Sequence, residues 1–177
     1  MTMTNPASPL NPYATLMGTY MGIFWVAKFA LIPLGMESPF LIFFYCGLTL
    51  CVPYVAFCMA RSYRDRVLGG VISFGRAWGF LFQLFIYASL LSAFCIYLYF
   101  RFIDGGYLLN GLEERTREFL QLMTLEEKAE LKPQLELIIE SLRSRTPIVI
   151  AMEQITQDIA LGAIGALLVA PFVRRWK

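Results

Sequence analysis

The residues best suited to chemistry stand where hydrocarbon is expected. The stretch Met152-Glu-Gln-Ile-Thr-Gln-Asp158 sets Glu153, Gln154, Gln157 and Asp158 between the apolar runs TPIVIA and IALGAIGALLVAPFV, and Lys28 interrupts a second apolar run. An ammonium and a carboxylate can form an ion pair, relay a proton or hold an anionic group. Burying either charge alone in lipid costs several kcal/mol, so each should face protein and find a partner. The sequence has no histidine, which removes the commonest general base and metal ligand. It shows no metal-ligand cluster, no Gly-rich phosphate loop and no nucleophile with a recognisable base. The reading is therefore not an enzyme, with no cofactor and no metal.

Composition supplies the setting. Of 177 residues 58% are hydrophobic and 16% charged, against roughly 45–50% and 25% in soluble domains, and the excess lies in long runs. The net charge of +2 is too small to argue for nucleic acid. Cys46, Cys51, Cys58 and Cys95 all fall inside apolar runs without CxxC spacing, which favours small filler over disulfide or metal chemistry. No Lys or Arg precedes Lys28, so no cleaved secretory signal is read and residues 1–12 are expected to be a disordered cytoplasmic tail.

A helix needs about 20 apolar residues to cross roughly 30 Å of hydrocarbon. Four runs qualify: Tyr13–Leu34, Pro39–Ala60 with Pro53 as a kink, the charge-free Ala77–Phe100, and Pro147–Val173. The fold class expected is all-α integral membrane, with four transmembrane helices and an extracytoplasmic helical hairpin between spans three and four. The domains are residues 13–100 with a basic loop at 61–76, the insertion 101–146, and the last span with its tail, 147–177. Spans one and two do not resemble three and four, so an inverted-repeat transporter gains no support.

Arg61, Arg64, Arg66 and Arg76 surround Asp65 alone in the second connection, and Arg174, Arg175 and Lys177 end the chain. Positive-inside reasoning makes both cytoplasmic, and the N-terminus with them. Trp78 and Trp176 then fall near the inner interface, Tyr97 and Tyr99 near the outer one. The four arginines are candidates for contact with a lipid phosphate or an acidic partner. Gly69-Gly-Val-Ile-Ser-Phe-Gly-Arg-Ala-Trp78 reads as a tight inner turn or half-buried interfacial segment.

The insertion 101–146 holds seven basic and nine acidic residues. Leu112, Thr116, Phe119 and Met123 mark one apolar face, and Leu131, Leu135, Ile138 and Leu142 another. Thr124-Leu-Glu-Glu127 is a capping box, and Pro133 should split the second helix. These faces need each other, the membrane surface or a partner as cover.

Depth links the two charges. With Val173 at the inner edge, Asp158 lies about 22 Å in, and Glu153 about 30 Å, at the outer boundary. Measured from Tyr13, Lys28 also lies about 22 Å in. A Lys28–Asp158 pair is expected, with Gln154 or Gln157 completing its hydrogen bonds. A site for an anionic head group or ion is a second reading. A third has Lys28 reaching the outer interface and leaving Asp158 to the glutamines. Asp158 shares a face with Gly162, Ala166 and Ala170, with Gly165 alongside, and Gly18 and Gly22 form a GxxxG in span one, so all are candidates for close helix packing.

The succession of SYRDR, GGVISFGRAW before a charge-free span, a helical outer insertion and a last span with a basic tail resembles a small four-span bacterial inner-membrane family of unknown function, widespread in Bacteroidota. The resemblance runs from about Tyr13 to the C-terminus and is most specific at Gly69–Ala77. It implies a fold and a compartment, and carries over no catalytic residue. The family's association with membrane glycosyltransferases that use lipid-linked sugars implies an accessory or scaffold subunit. Membrane lipid, a membrane-protein partner or a second copy are the partners expected. A small lipid or solute translocator using Lys28 and Asp158, and a sensor using the outer hairpin, are the alternatives.

Overall fold

The computed structural model describes residues 12–174, without the side chain of Pro39. The N-terminal tail expected at 1–12 lies, except for Pro12, outside the described residues, as do Arg175, Trp176 and Lys177. The described chain forms six α-helices: α1 Pro12–Gly35, α2 Pro39–Val67, α3 Phe74–Leu98, α4 Tyr107–Gln121, α5 Leu125–Arg143 and α6 Pro147–Val173. Four of them, α1, α2, α3 with its extension to Ile103, and α6, are long and apolar enough to cross a membrane, with mean hydropathy of 1.4 to 2.1.

Small residues set the packing. A Cβ on Gly18 would stand 2.6 Å from Tyr87 Cβ and 2.8 Å from the Leu84 carbonyl oxygen, and one on Gly162 would stand 2.7 Å from Phe85 Cβ. Only glycine lets α1 and α6 approach α3 this closely. Gly22, Ala166 and Ala170 continue the two contacts, whereas Gly165 is looser, 4.0 Å from the Phe85 ring. Helix α3 supplies the centre of the core with Leu81, Leu84, Phe85 and Ala88. Both α1 and α6 pack on α3 and on α2, and little on each other. Outward, α2 shows Phe40, Phe43, Phe44, Leu50 and Tyr54.

The basic connection is shorter than the expected loop at 61–76. Nothing in Ala60-Arg-Ser-Tyr-Arg-Asp-Arg-Val67 breaks a helix, so α2 continues through Arg61, Arg64 and Arg66. Gly69 and Gly70, at φ of 68° and 91°, make the first break. The Gly70 N–H donates back to the Arg64 carbonyl at 2.9 Å. Arg76 and Trp78 already belong to α3. All four cysteines are free, and Cys46, Cys51 and Cys58 lie exposed on α2, rather than filling gaps.

Helix α3 ends in a π-helical turn, Tyr99–Ile103. Gly105 and Gly106, both at positive φ, then reverse the chain. The buried Asp104 carboxylate fixes this corner, accepting from the Gly106 N–H at 3.0 Å and the Leu108 N–H at 3.2 Å. Helices α4 and α5 pack on each other, and neither buries a residue. The covered stripes follow i+4 ridges, so Leu120 and Ile139 are half-buried where Phe119 and Ile138 were expected, and those two are exposed. Pro133 does not split α5. The bond it cannot donate frees only the carbonyl of exposed Ala129, and its neighbours are strong helix formers. The capping box is present: Thr124 N–H donates to Glu127 Oε2 at 3.0 Å, and Glu127 N–H approaches Thr124 Oγ1 at 3.5 Å.

Candidate functional site

The polar residues of MEQITQD lie on α6, which Pro147 opens with Thr146 in extended conformation at the N-cap. Helical rotation splits them into two groups. Gln154 and Asp158, one turn apart, are half-buried toward α3, while Gln157, about 100° round the helix from Asp158, is exposed. Gln154 Nε2 donates to Asp158 Oδ1 at 2.8 Å. The second carboxylate oxygen is met from α3, where Ser92 Oγ lies 3.3 Å from Asp158 Oδ2 and 3.4 Å from the Ser89 carbonyl. One hydroxyl proton is shared between these acceptors. Ser89 turns its own hydroxyl to the Ile86 carbonyl at 2.9 Å.

The expected direct Lys28–Asp158 pair is not formed. Among the described residues no carboxylate oxygen stands within ion-pairing distance of Lys28. Its ammonium instead lies over the ring of Tyr45 on α2, 5.0 Å from the centroid. The two charges still act on each other across the gap. The reason lies in the bundle: α1 and α6 both pack on α3 and α2 and hardly touch, so matching depth does not bring their side chains together. Gln157 takes no part in holding Asp158.

Glu153 pairs with Arg145, which precedes α6. This pair lines an open groove of about 490 Å³ with Ile148, Val149, Met152, Thr156 and Gln157. Thr156 returns its hydroxyl to the Met152 carbonyl at 3.0 Å. The five residues expected to form one polar cluster thus divide into a half-buried acceptor site around Asp158, a cation on Tyr45, an ion pair at the end of α6, and an outward amide.

The four arginines also divide. Arg64 is buried and donates from its NH1 nitrogen to the Val173 carbonyl at 3.0 Å, satisfying an orphan acceptor at the C-terminal end of α6. Its Nε and second terminal nitrogen hold Asp65 at 2.7 and 3.2 Å. Arg61 approaches the same carboxylate at 3.6 Å. Arg64 is therefore occupied within the fold, whereas Arg66 and Arg76 are exposed. Nearby, Tyr13 and Ser62 hydroxyls meet at 2.7 Å, and Tyr63 stacks on Phe80 at 4.2 Å, joining α1, α2 and α3.

Sequence reasoning missed Ser92, Ser89, Tyr45 and Asp104. The available signal was Ser89-Leu-Leu-Ser92, two hydroxyls one turn apart in the run without charges. Toward the other end of the bundle, α4 is tied to the α1–α2 turn: Arg115 donates to the Met36 carbonyl at 2.6 Å, and Tyr107 reaches Glu37 at 3.5 Å. Glu113 on α4 pairs with Arg143 on α5.

No curated protein and no solved structure matches the chain. A family model described as "Protein of unknown function (DUF4199)" matches residues 16–175, nearly the whole chain, and the protein belongs to that family.

Proposed function

We propose that this DUF4199 chain is an integral membrane accessory subunit without catalysis of its own. The observation that carries the reading is the pair α4 and α5. They are amphipathic, bury no residue, and expose Phe119, Leu122, Leu125, Leu137 and Ile138. Two helices held at one end of an apolar bundle with so much uncovered apolar surface suit docking to a partner. In this reading the basic ends of α2 and α6 face the cytoplasm, α4 and α5 stand on the outer side of a bacterial inner membrane, and the partner is an enzyme of envelope glycoconjugate assembly that handles lipid-linked sugars. Purification from membranes in mild detergent tests it. A stoichiometric foreign membrane protein should accompany the chain and be lost on Leu122→Glu with Leu125→Glu. Recovery of the chain with no foreign companion would overturn the reading.

One observation favours a second reading. Lys28 sits inside an apolar helix with no carboxylate in contact, so it has capacity for an anionic group passing between α1 and α2. A small lipid or solute translocator would use it as a waypoint. Movement of a labelled lipid-linked sugar across liposomes by the purified protein, abolished by Lys28→Met, would put this reading first.

A further inference from the structure

The outward face of α6 carries a side chain that lipid cannot satisfy. Among the described residues, four of the five polar side chains in MEQITQD have partners: Glu153 with Arg145, Gln154 with Asp158, Asp158 with Gln154 and Ser92, and Thr156 with its own helix. Gln157 has none there and is exposed. At 1.5 Å per residue it lies about 24 Å from Val173, inside a hydrocarbon layer of about 30 Å. A carboxamide in that layer needs hydrogen-bond partners, and acyl chains provide none.

Its neighbours on the same face form a seam. Gln157, Leu161, Ile164 and Leu168 recur at i, i+4, i+7 and i+11, the seven-residue spacing by which one helix packs on another. The three apolar members are 67%, 55% and 67% exposed, and none faces α3. Toward Val173 the seam opens into an apolar groove between α2 and α6, lined by Pro53, Tyr54, Phe57, Leu168, Val169 and Phe172.

We infer that this seam is where a second copy of the chain packs, α6 against α6, about a twofold axis along the membrane normal. The inference rests on the membrane reading above. The choice of occupant follows from Gln157. A carboxamide carries both donor and acceptor, so two copies satisfy one another without any further group. Every copy inserts in the same direction, so a twofold axis brings the two Gln157 side chains together at one depth. A single polar residue in an apolar seam also fixes its register. A foreign helix would have to present a matching polar group at that height. The α4–α5 surface proposed for the foreign partner is separate from this seam.

The full chain, labelled at its C-terminus and reconstituted in lipid vesicles, tests this by single-molecule counting of labels across a range of protein-to-lipid ratios. Dimers are expected, with Gln157→Leu weakening association between roughly threefold and twentyfold and Gln157→Asn restoring most of it. A photo-crosslinking residue at Ile164 should join two copies, and one at the equally exposed Ile23 of α1 should not. Monomers at all ratios, dimers indifferent to Gln157→Leu, or crosslinks from Ile23 alone would each overturn the inference. Release of the protein from membranes by alkaline carbonate would overturn the membrane reading itself, and this inference with it. Retention with monomers overturns only the dimer.

Discussion

Ser92 on α3 sets its hydroxyl oxygen 3.3 Å from Oδ2 of Asp158 on α6, at the level where Gln154 holds the other carboxylate oxygen at 2.8 Å. The carboxylate is therefore held by neutral donors from its own helix and from the helix it packs on. Lys28 contributes at a distance only.

This arrangement ranks the partners. In double-mutant cycles on unfolding in detergent, Gln154→Leu with Asp158→Asn should show coupling of about 0.5–1.7 kcal/mol. Lys28→Met with Asp158→Asn should show clearly less. Larger coupling through Lys28 would mean that the ammonium, rather than the amide, holds the carboxylate.

Glycine spacing predicts a contrast within α6. Gly162→Ala puts a methyl group 2.7 Å from Phe85 Cβ, whereas Gly165→Ala meets the ring only at 4.0 Å. The first should destabilise by about 1–3 kcal/mol and the second should be nearly neutral, read from thermal or denaturant unfolding in detergent. Equal effects at both positions would contradict the close α3–α6 approach.

Arg64 and Arg66 differ in the same way. Loss of the buried Arg64 frees the Val173 carbonyl and leaves Asp65 without its closest partner, so Arg64→Ala should cost about 1–3 kcal/mol and speed hydrogen exchange in the last turn of α6. Arg66→Ala, at an exposed position, should leave that exchange unchanged.

The start of α5 should depend on pH. The Thr124 N–H and hydroxyl hold the Glu127 carboxyl below its ordinary range. A folded value below the unfolded one stabilises the folded form above the unfolded pKa, and that contribution is lost as pH falls through the folded value. Hydrogen exchange at Leu125–Lys128, taken relative to the intrinsic amide rate at each pH, should therefore quicken below about pH 4. Thr124→Ala should quicken it roughly threefold to fivefold at neutral pH and flatten the acid dependence.

The helices and their ends were legible because they depend on neighbours in the chain. Apolar runs fixed four long helices, and Pro147 and the Thr124 box fixed two starts, whereas α2 runs past the expected end at Ala60 to Val67, just before Gly69-Gly70. The small-residue faces of Gly18, Gly22, Gly162 and Ala166 were legible too, since only such faces allow helices to come close. Depth along each helix could also be read, at 1.5 Å per residue. What the sequence could not supply was which helices touch. The packing of α1 and α6 on α3 and α2, rather than on each other, set Lys28 over Tyr45 and gave Asp158 to Ser92. The same packing turned Gln154 inward and left Gln157 outside, one residue from Asp158 but about 100° round the helix. Spacing along a helix is a local property of the backbone, whereas the angular order of helices around a bundle is settled by all their faces at once.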